Sequence, residues 1–199
     1  MFNKNFFSLV ALLVISSFLL GCGVQSIPKG KNEIEAQLAE VTNQYKRRSD
    51  LIPNLVEVVK GYASHEKDTL QAVVEARTKA TSTTIDPSKL SADQMMKFQQ
   101  AQGSLSTALG KLMVVVEKYP DLKANQNFQE LQSQLEGTEN RITVARNRYI
   151  ESIKMFNNLV TVFPTNITNN LFFHYEKMPQ WDVSEDEKEK VEKAPEVKF

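Results

Sequence analysis

Residues 34–62 read IEAQLAEVTNQYKRRSDLIPNLVEVVKGY. Apolar side chains recur there at Ile34, Leu38, Val41, Tyr45, Ile52, Leu55, Val59 and Tyr62, in steps of four and three, with Arg48 in the one missing slot. Heptad spacing of this kind places all of them on one helical face. Pro53 interrupts the stretch. A proline inside a helix lacks the N–H that bonds four residues back, and its ring crowds the preceding turn, at a cost of ~3 kcal/mol. Asp50 could cap a fresh helix, whose first-turn donors have no intrahelical partner. The stretch therefore reads as one kinked helix or as two helices joined near residue 50, continuing to about Ala80.

Working outward, Thr81 to Ser88 is a loop by composition. A further segment starts with Ser91 as its cap, or with Asp86-Pro87 as cap and first turn. Its apolar face is Met95, Phe98, Leu105, Leu109, Leu112, Val116 and Tyr119, with Gln102 in one slot, and Tyr119-Pro120-Asp121 stops it. After Asn125 the rhythm returns in Phe128, Leu131, Leu135, Ile142, Ala145, Tyr149, Phe156 and Phe163, with Thr138 and Ser152 filling slots. That last helix should run ~38 residues, near 55 Å, to Phe163-Pro164. The mature chain has no convincing alternating strand pattern. The prediction is an all-α, antiparallel bundle of three to four long helices over residues 31–170, with a short irregular tail at 171–199. Met95, Met96, Met113 and the tyrosines on the heptad faces read as core, and Gly103, Gly110 and Gly137 as close-packing points between helices. In the tail, the mixed-charge run from Ser184 to Glu196 reads as solvated. Val197 and Phe199 either dock back on the bundle or fray.

The N-terminus carries Lys4 and then an apolar run, Phe6 to Leu20. Fifteen residues fall short of the ~20 that span a bilayer and match the apolar region of a secretory signal. Leu19-Leu20-Gly21-Cys22 resembles the bacterial lipobox. The resemblance implies cleavage before Cys22, a diacylglycerol thioether on its sulfur and acylation of the new amine. Each buried CH₂ contributes ~0.8 kcal/mol, so two or three chains anchor firmly where one is marginal. Residues 1–21 are thus expected to be a lipoprotein signal peptide, and 22–30 (CGVQSIPKG) a short tether. Membrane attachment on the non-cytoplasmic side follows. Gly23 after the cysteine leans towards an outer membrane facing the periplasm, if the source has two membranes.

Composition sets the remaining bounds. The 199 residues carry 24 basic and 24 acidic side chains, a formal net charge of zero. Nucleic-acid binding needs a concentrated basic surface, so it is not expected. One Cys and two His leave no disulfide framework and little material for a metal site. His65-Glu66 lacks the second His of a zinc protease motif, since position 69 is Thr. Ser104, Ser106 and Thr107 have no nearby His, and the glycines form no phosphate loop. No cofactor, metal or catalytic residue is predicted, and the chain reads as a non-enzyme.

Three blocks together resemble a known family. The first is Arg47-Arg48-Ser49-Asp50-Leu51-Ile52-Pro53-Asn54-Leu55-Val56, running on to Lys60-Gly61-Tyr62, His65-Glu66 and Glu75-Ala76-Arg77. The second is Tyr119-Pro120-Asp121-Leu122-Lys123-Ala124-Asn125 with Leu135-Glu136-Gly137-Thr138-Glu139-Asn140-Arg141-Ile142. The third is Ala145-Arg146-Asn147-Arg148-Tyr149 with Phe156-Asn157 and Phe163-Pro164. These look like the signature blocks of the LemA family of bacterial membrane-anchored helical proteins, over roughly residues 31–175 and again at the C-terminus. The resemblance implies a helical bundle held at a membrane and facing away from the cytoplasm, with no established reaction or ligand. Many members keep an uncleaved transmembrane helix where this chain has the lipobox.

The polar residues of those blocks form the candidate site: Arg47, Arg48, Asp50, Asn54, Glu136, Glu139, Arg141, Arg146, Asn147 and Arg148. Arginines give bidentate contacts to carboxylate or phosphate, so a small anionic ligand is one reading. The favoured reading is structural, because Arg48 occupies a core slot and must find partners inside the bundle. The expectation is an envelope lipoprotein acting as a scaffold or adaptor for a membrane or envelope protein. The alternative is an anionic-ligand sensing module.

Overall fold

The computed structural model describes the backbone of residues 4–85 and 91–181, and the side chains of 24–85 and 91–181. The side chains of the apolar run and of Cys22, the Asp86-Pro87 start, and the Ser184–Glu196, Val197 and Phe199 readings lie outside the described residues. The chain is all-helical among those residues: α1 Lys4–Tyr62, α2 Lys67–Ser82, α3 Ala92–Val116, α4 Pro120–Lys123, α5 Gln126–Thr161 and α6 Thr165–Thr168, followed by a π-helical turn, Asn169–Phe173. None of the described helices is long and apolar enough to cross a membrane. Contacts divide the chain into two units, Ala39–Ala145 with Trp181–Phe199, and Met1–Leu38 with Arg146–Gln180.

In the first of these units, four helices alternate in direction. Arg48 on α1 reaches Gln102 on α3 and Glu139 on α5. At the other end Glu66, which precedes α2, meets Tyr119, and Tyr62 meets Asn125. The heptad stripes supply the core. Ile52, Leu55, Val59, Val73, Leu105, Leu112, Leu122 and Phe128 are buried in one cluster, with Leu109, Met113, Leu131 and Leu135 packed against it. Ser91 caps α3 through a reciprocal pair, its hydroxyl accepting from the Gln94 N–H while the Gln94 side chain accepts from the Ser91 N–H.

α1 is one continuous helix through Pro53, which corrects the break allowed near residue 50. Pro53 leaves the Ser49 carbonyl, four residues back, without its helical donor. Ser49 is buried, and Arg77 Nε on α2 donates to that carbonyl at 2.8 Å. A side chain of α2 thus replaces the missing N–H. The chain reverses instead at Ala63–Glu66, where Ala63 is fully buried and the Ala63 carbonyl accepts from the Glu66 N–H at 3.1 Å.

The second unit pairs the beginning of α1 with the end of α5. Ile27, Ile34 and Leu38 of α1 and Tyr149, Ile153, Phe156 and Val160 of α5 are its buried core residues. A Cβ on Gly30 would lie 3.0 Å from Leu159 Cδ1 and 3.4 Å from Phe156 Cδ2, so the close-packing glycine is this one. Residues 24–30, expected to be a tether, are helical, with Ile27 wholly buried. Gly103 and Gly110 face open space, contrary to the reading of them as packing points, and Gly137 meets only the Arg141 guanidinium.

After the π-helical turn the tail is irregular, as expected, and residues 174–180 are held to this unit by hydrogen bonds. Asn169 is buried, donates to the Tyr175 carbonyl at 2.9 Å and accepts from the Tyr175 N–H at 3.0 Å. Asn157 on α5 does the same for Met178, at 3.0 and 2.8 Å. His174, in the left-handed region at φ 57°, turns the chain back between them. Tyr175 packs on Phe156 and stacks on Phe173, and the Lys31 ammonium lies 5.1 Å from its ring centre. Phe163, expected in the core, is 68% exposed because α5 ends at Thr161 and the helical phase ends with it. Tyr62, the last residue of α1, and Met96 are likewise exposed.

Candidate functional site

Arg48 is the one charged side chain that is buried among the described residues, at 3% exposure. It stands where the stripe on α1 lacks an apolar residue, so the helix has no choice but to carry it inside. Its Nη1 donates to Glu139 Oε2 at 2.9 Å and to Ser106 Oγ at 3.0 Å. Its Nη2 donates to Gln102 Oε1 at 3.0 Å and to the Gln102 carbonyl at 3.3 Å. The guanidinium carbon also lies 5.1 Å from the Tyr45 ring centre. Nε has no partner. Gln102 is buried and passes the network on, its Nε2 donating to the Ala80 carbonyl at 3.2 Å. That carbonyl belongs to the last turn of α2, where helical acceptors lack intrahelical donors. One cation therefore ties together α1, α3 and α5, and through Gln102 also α2.

The pair is asymmetric. The Glu139 side chain is 55% exposed and keeps much of its hydration, while Arg48 keeps almost none. The carboxylate compensates the buried charge without a second full desolvation penalty, which is the costly part of a buried ion pair. Ser106 receives its bond from a guanidinium, which cannot serve as a base, so the hydroxyl is not activated as a nucleophile.

Beside this network a groove of about 270 Å³ opens between α3 and α5. Leu109, Met113 and Leu135 give it apolar walls, Gly110 leaves room in it, and Arg48, Glu136 and Glu139 supply charge. Two carboxylates against one guanidinium that is already bonded make it a poor receptor for an anion.

Of the ten predicted site residues, the structure brings together only Arg48, Glu139 and, on the groove wall, Glu136. Arg47, Asp50, Asn54, Asn147 and Arg148 are exposed, and Arg141 is exposed with its guanidinium on Thr138 Oγ1. Arg146 is half-buried and lies with Asn147 and Arg148 in the other unit. The expected ten-residue layer is thus a smaller set. Gln102 and Ser106 belong to it and are absent from the ten, although Gln102 stands in a heptad slot, and Arg77 makes a separate bond to the Ser49 carbonyl.

Two tyrosines mark the electrostatics. Burial holds the Tyr149 phenol well above its ordinary value of 10.0. Partial burial, the nearby Glu66 charge and the hydrogen bond to that carboxylate raise Tyr119 as well.

An all-helical bundle tied by one inward arginine, whose groups serve packing more than chemistry, is the class that this fold and site define. A family profile, described as the LemA family, matches residues 37–199. The chain belongs to the LemA family. It is 25% identical over 166 residues to protein LemA of Metamycoplasma hominis, a match that covers 82% of this chain and 72% of that relative. It is also 24% identical over 151 residues to magnetosome protein MamQ 2 of Paramagnetospirillum magneticum, and over 155 residues to magnetosome protein MamQ of Magnetospirillum gryphiswaldense. Those matches cover 67% and 66% of this chain, and 56% and 55% of the relatives, so the chain spans little more than half of the magnetosome proteins.

Proposed function

We propose that this LemA-family chain is a membrane-tethered scaffold or adaptor without catalytic activity, anchored through lipid on Cys22 and placed on the non-cytoplasmic side. In a two-membrane cell the expected site is the outer membrane, facing the periplasm. The observation that carries the scaffold reading is that both terminal nitrogens of the Arg48 guanidinium are spent within the chain. The strongest polar feature of the interior is spent on Glu139, Gln102 and Ser106, groups of the chain itself. The heptad stripes are buried against one another, so the outward helix faces remain for a partner protein.

Two experiments test this. Cys22→Ser should abolish palmitate labelling and release the protein from membranes; persistent labelling would reject the anchor. Crosslinking in intact cells followed by purification in detergent should recover a partner in fixed stoichiometry; its absence would reject the adaptor role. The anionic-ligand alternative predicts that an envelope anion raises the melting temperature in a saturable way, because binding to the native state stabilises it by mass action. With two carboxylates facing the groove, no such shift is expected.

A further inference from the structure

Residues 155–173, from Met155 to Phe173, contain no Asp, Glu, Lys or Arg in a chain that is 24% charged. Five large apolar side chains in the last part of that stretch are exposed: Val162, Phe163, Ile167, Leu171 and Phe172. Phe163 is 68% exposed and Phe172 61%. Exposed apolar residues scattered singly need no explanation, but several within eleven positions and free of charge do. Val162 and Phe163 follow the end of α5, Ile167 is on α6, and Leu171 and Phe172 are on the π-helical turn.

The fold says which end this is. Gly30 on α1 lies against Leu159 on α5, and the two helices run in opposite directions. From that contact α5 runs two residues further to Thr161, about 3 Å at 1.5 Å per residue, with Phe163 two residues past that end, and Cys22 lies eight residues back along α1, about 12 Å in the same direction. α1 is helical without interruption through Cys22, so the lipidated start of the cleaved chain lies beyond the tip on that side. Ile27, between Gly30 and Cys22 on α1, is buried in the same unit.

We propose that the tip formed by residues 162–172 dips into the lipid headgroup layer, a second contact with the bilayer beside the N-terminal anchor. The inference rests on the membrane-tethered reading above. A headgroup layer adds roughly 5–8 Å to each face of the hydrocarbon core, so an anchor at Cys22 brings Phe163 within its reach. Aromatic and aliphatic side chains on an uncharged surface settle at that boundary, and exposed Lys29 stands ready for lipid phosphate. The bilayer is a better occupant than a second copy or the tail of this chain, because the patch lies at the end of the unit towards Cys22, where the lipid anchor is placed.

Depth-dependent quenching tests it. Full-length protein with Phe163→Trp or, two turns lower on α5, exposed Met155→Trp is reconstituted into phosphatidylethanolamine–phosphatidylglycerol vesicles with or without brominated acyl chains. Unsubstituted protein gives the Trp181 background, and circular dichroism checks each fold. Bromine should quench the tryptophan added at 163 severalfold more than that at 155. Equal quenching in protein that floats with the vesicles overturns the tip contact and leaves the anchor standing. Protein that fails to float, with position 163 unquenched, overturns both. A blue-shifted tryptophan at 163 without lipid shows that the tail or a second copy covers the tip, and overturns the proposal.

Discussion

The two units solve the same problem by different means. In Ala39–Ala145 four helices surround the axis, and there is room to enclose a guanidinium with a ring of acceptors. In the unit of Met1–Leu38 and Arg146–Gln180 only two long helices meet, and the core is finished by rings and by the chain doubling back. Two asparagines there pair with backbone on both its donor and acceptor sides. The first unit gains alignment from polar contacts at single places. The second gains cohesion from volume. Enclosure decides which is open to it, since a buried charge without a full set of partners would cost several kcal/mol.

That contrast can be broken. Phe156→Ala removes a wholly buried ring from the second unit and should cost about 3–5 kcal/mol in chemical denaturation, the largest effect of this group. Arg48→Ala should cost about 2–4 kcal/mol, for a cavity plus acceptors left bare, while Arg48→Met should recover part of that by filling the space with methylenes. Equal losses for the two Arg48 variants would mean that packing plays no part there.

Arg77→Ala should cost about 1–3 kcal/mol, because it strands the buried Ser49 carbonyl. The same change in a Pro53→Ala background should cost far less, since an alanine at that position restores the N–H four residues on. An additive double-mutant cycle would sink the coupling of Pro53 to Arg77. Above pH 10 the unfolded chain ionises its tyrosines while buried Tyr149 stays neutral. Stability should therefore be level below that pH and fall as the pH rises above it, less steeply in Tyr149→Phe. Smallest of all, Gly103→Ala should stabilise by up to about 1 kcal/mol, as its Cβ meets open space. Gly30→Ala should gain nothing or lose, because Leu159 must move aside.

Much of this was legible in the amino acids. The stripes on α1, α3 and α5 marked the helices, the Ser91 cap began α3 where expected, and the slot filled by Arg48 announced a cation inside. The candidate site was less legible because nearness in sequence is not nearness on a helical face. Relative to Arg48, each residue turns about 100° around the axis, which swings Arg47, Asp50 and Asn54 outwards. Arg141 and Arg148 sit next to the buried Ile142 and Tyr149 for the same reason. Gln102, Thr138 and Ser152, which stood in heptad slots, are all buried, so slot occupancy was the signal to follow on α3 and α5. The reversal at Ala63–Glu66 was hidden, because buried Ala63 and the Tyr119–Glu66 bond act only once the fold has formed.

Pro53 has a wider consequence. A helix with a seven-residue apolar rhythm looks alike to its neighbour after every two turns, so a partner slipped by one heptad would find almost the same surface. By silencing one donor, Pro53 leaves one bare oxygen along α1, and Arg77 can meet it in one register alone. The residue expected to break the rod instead gives it an address.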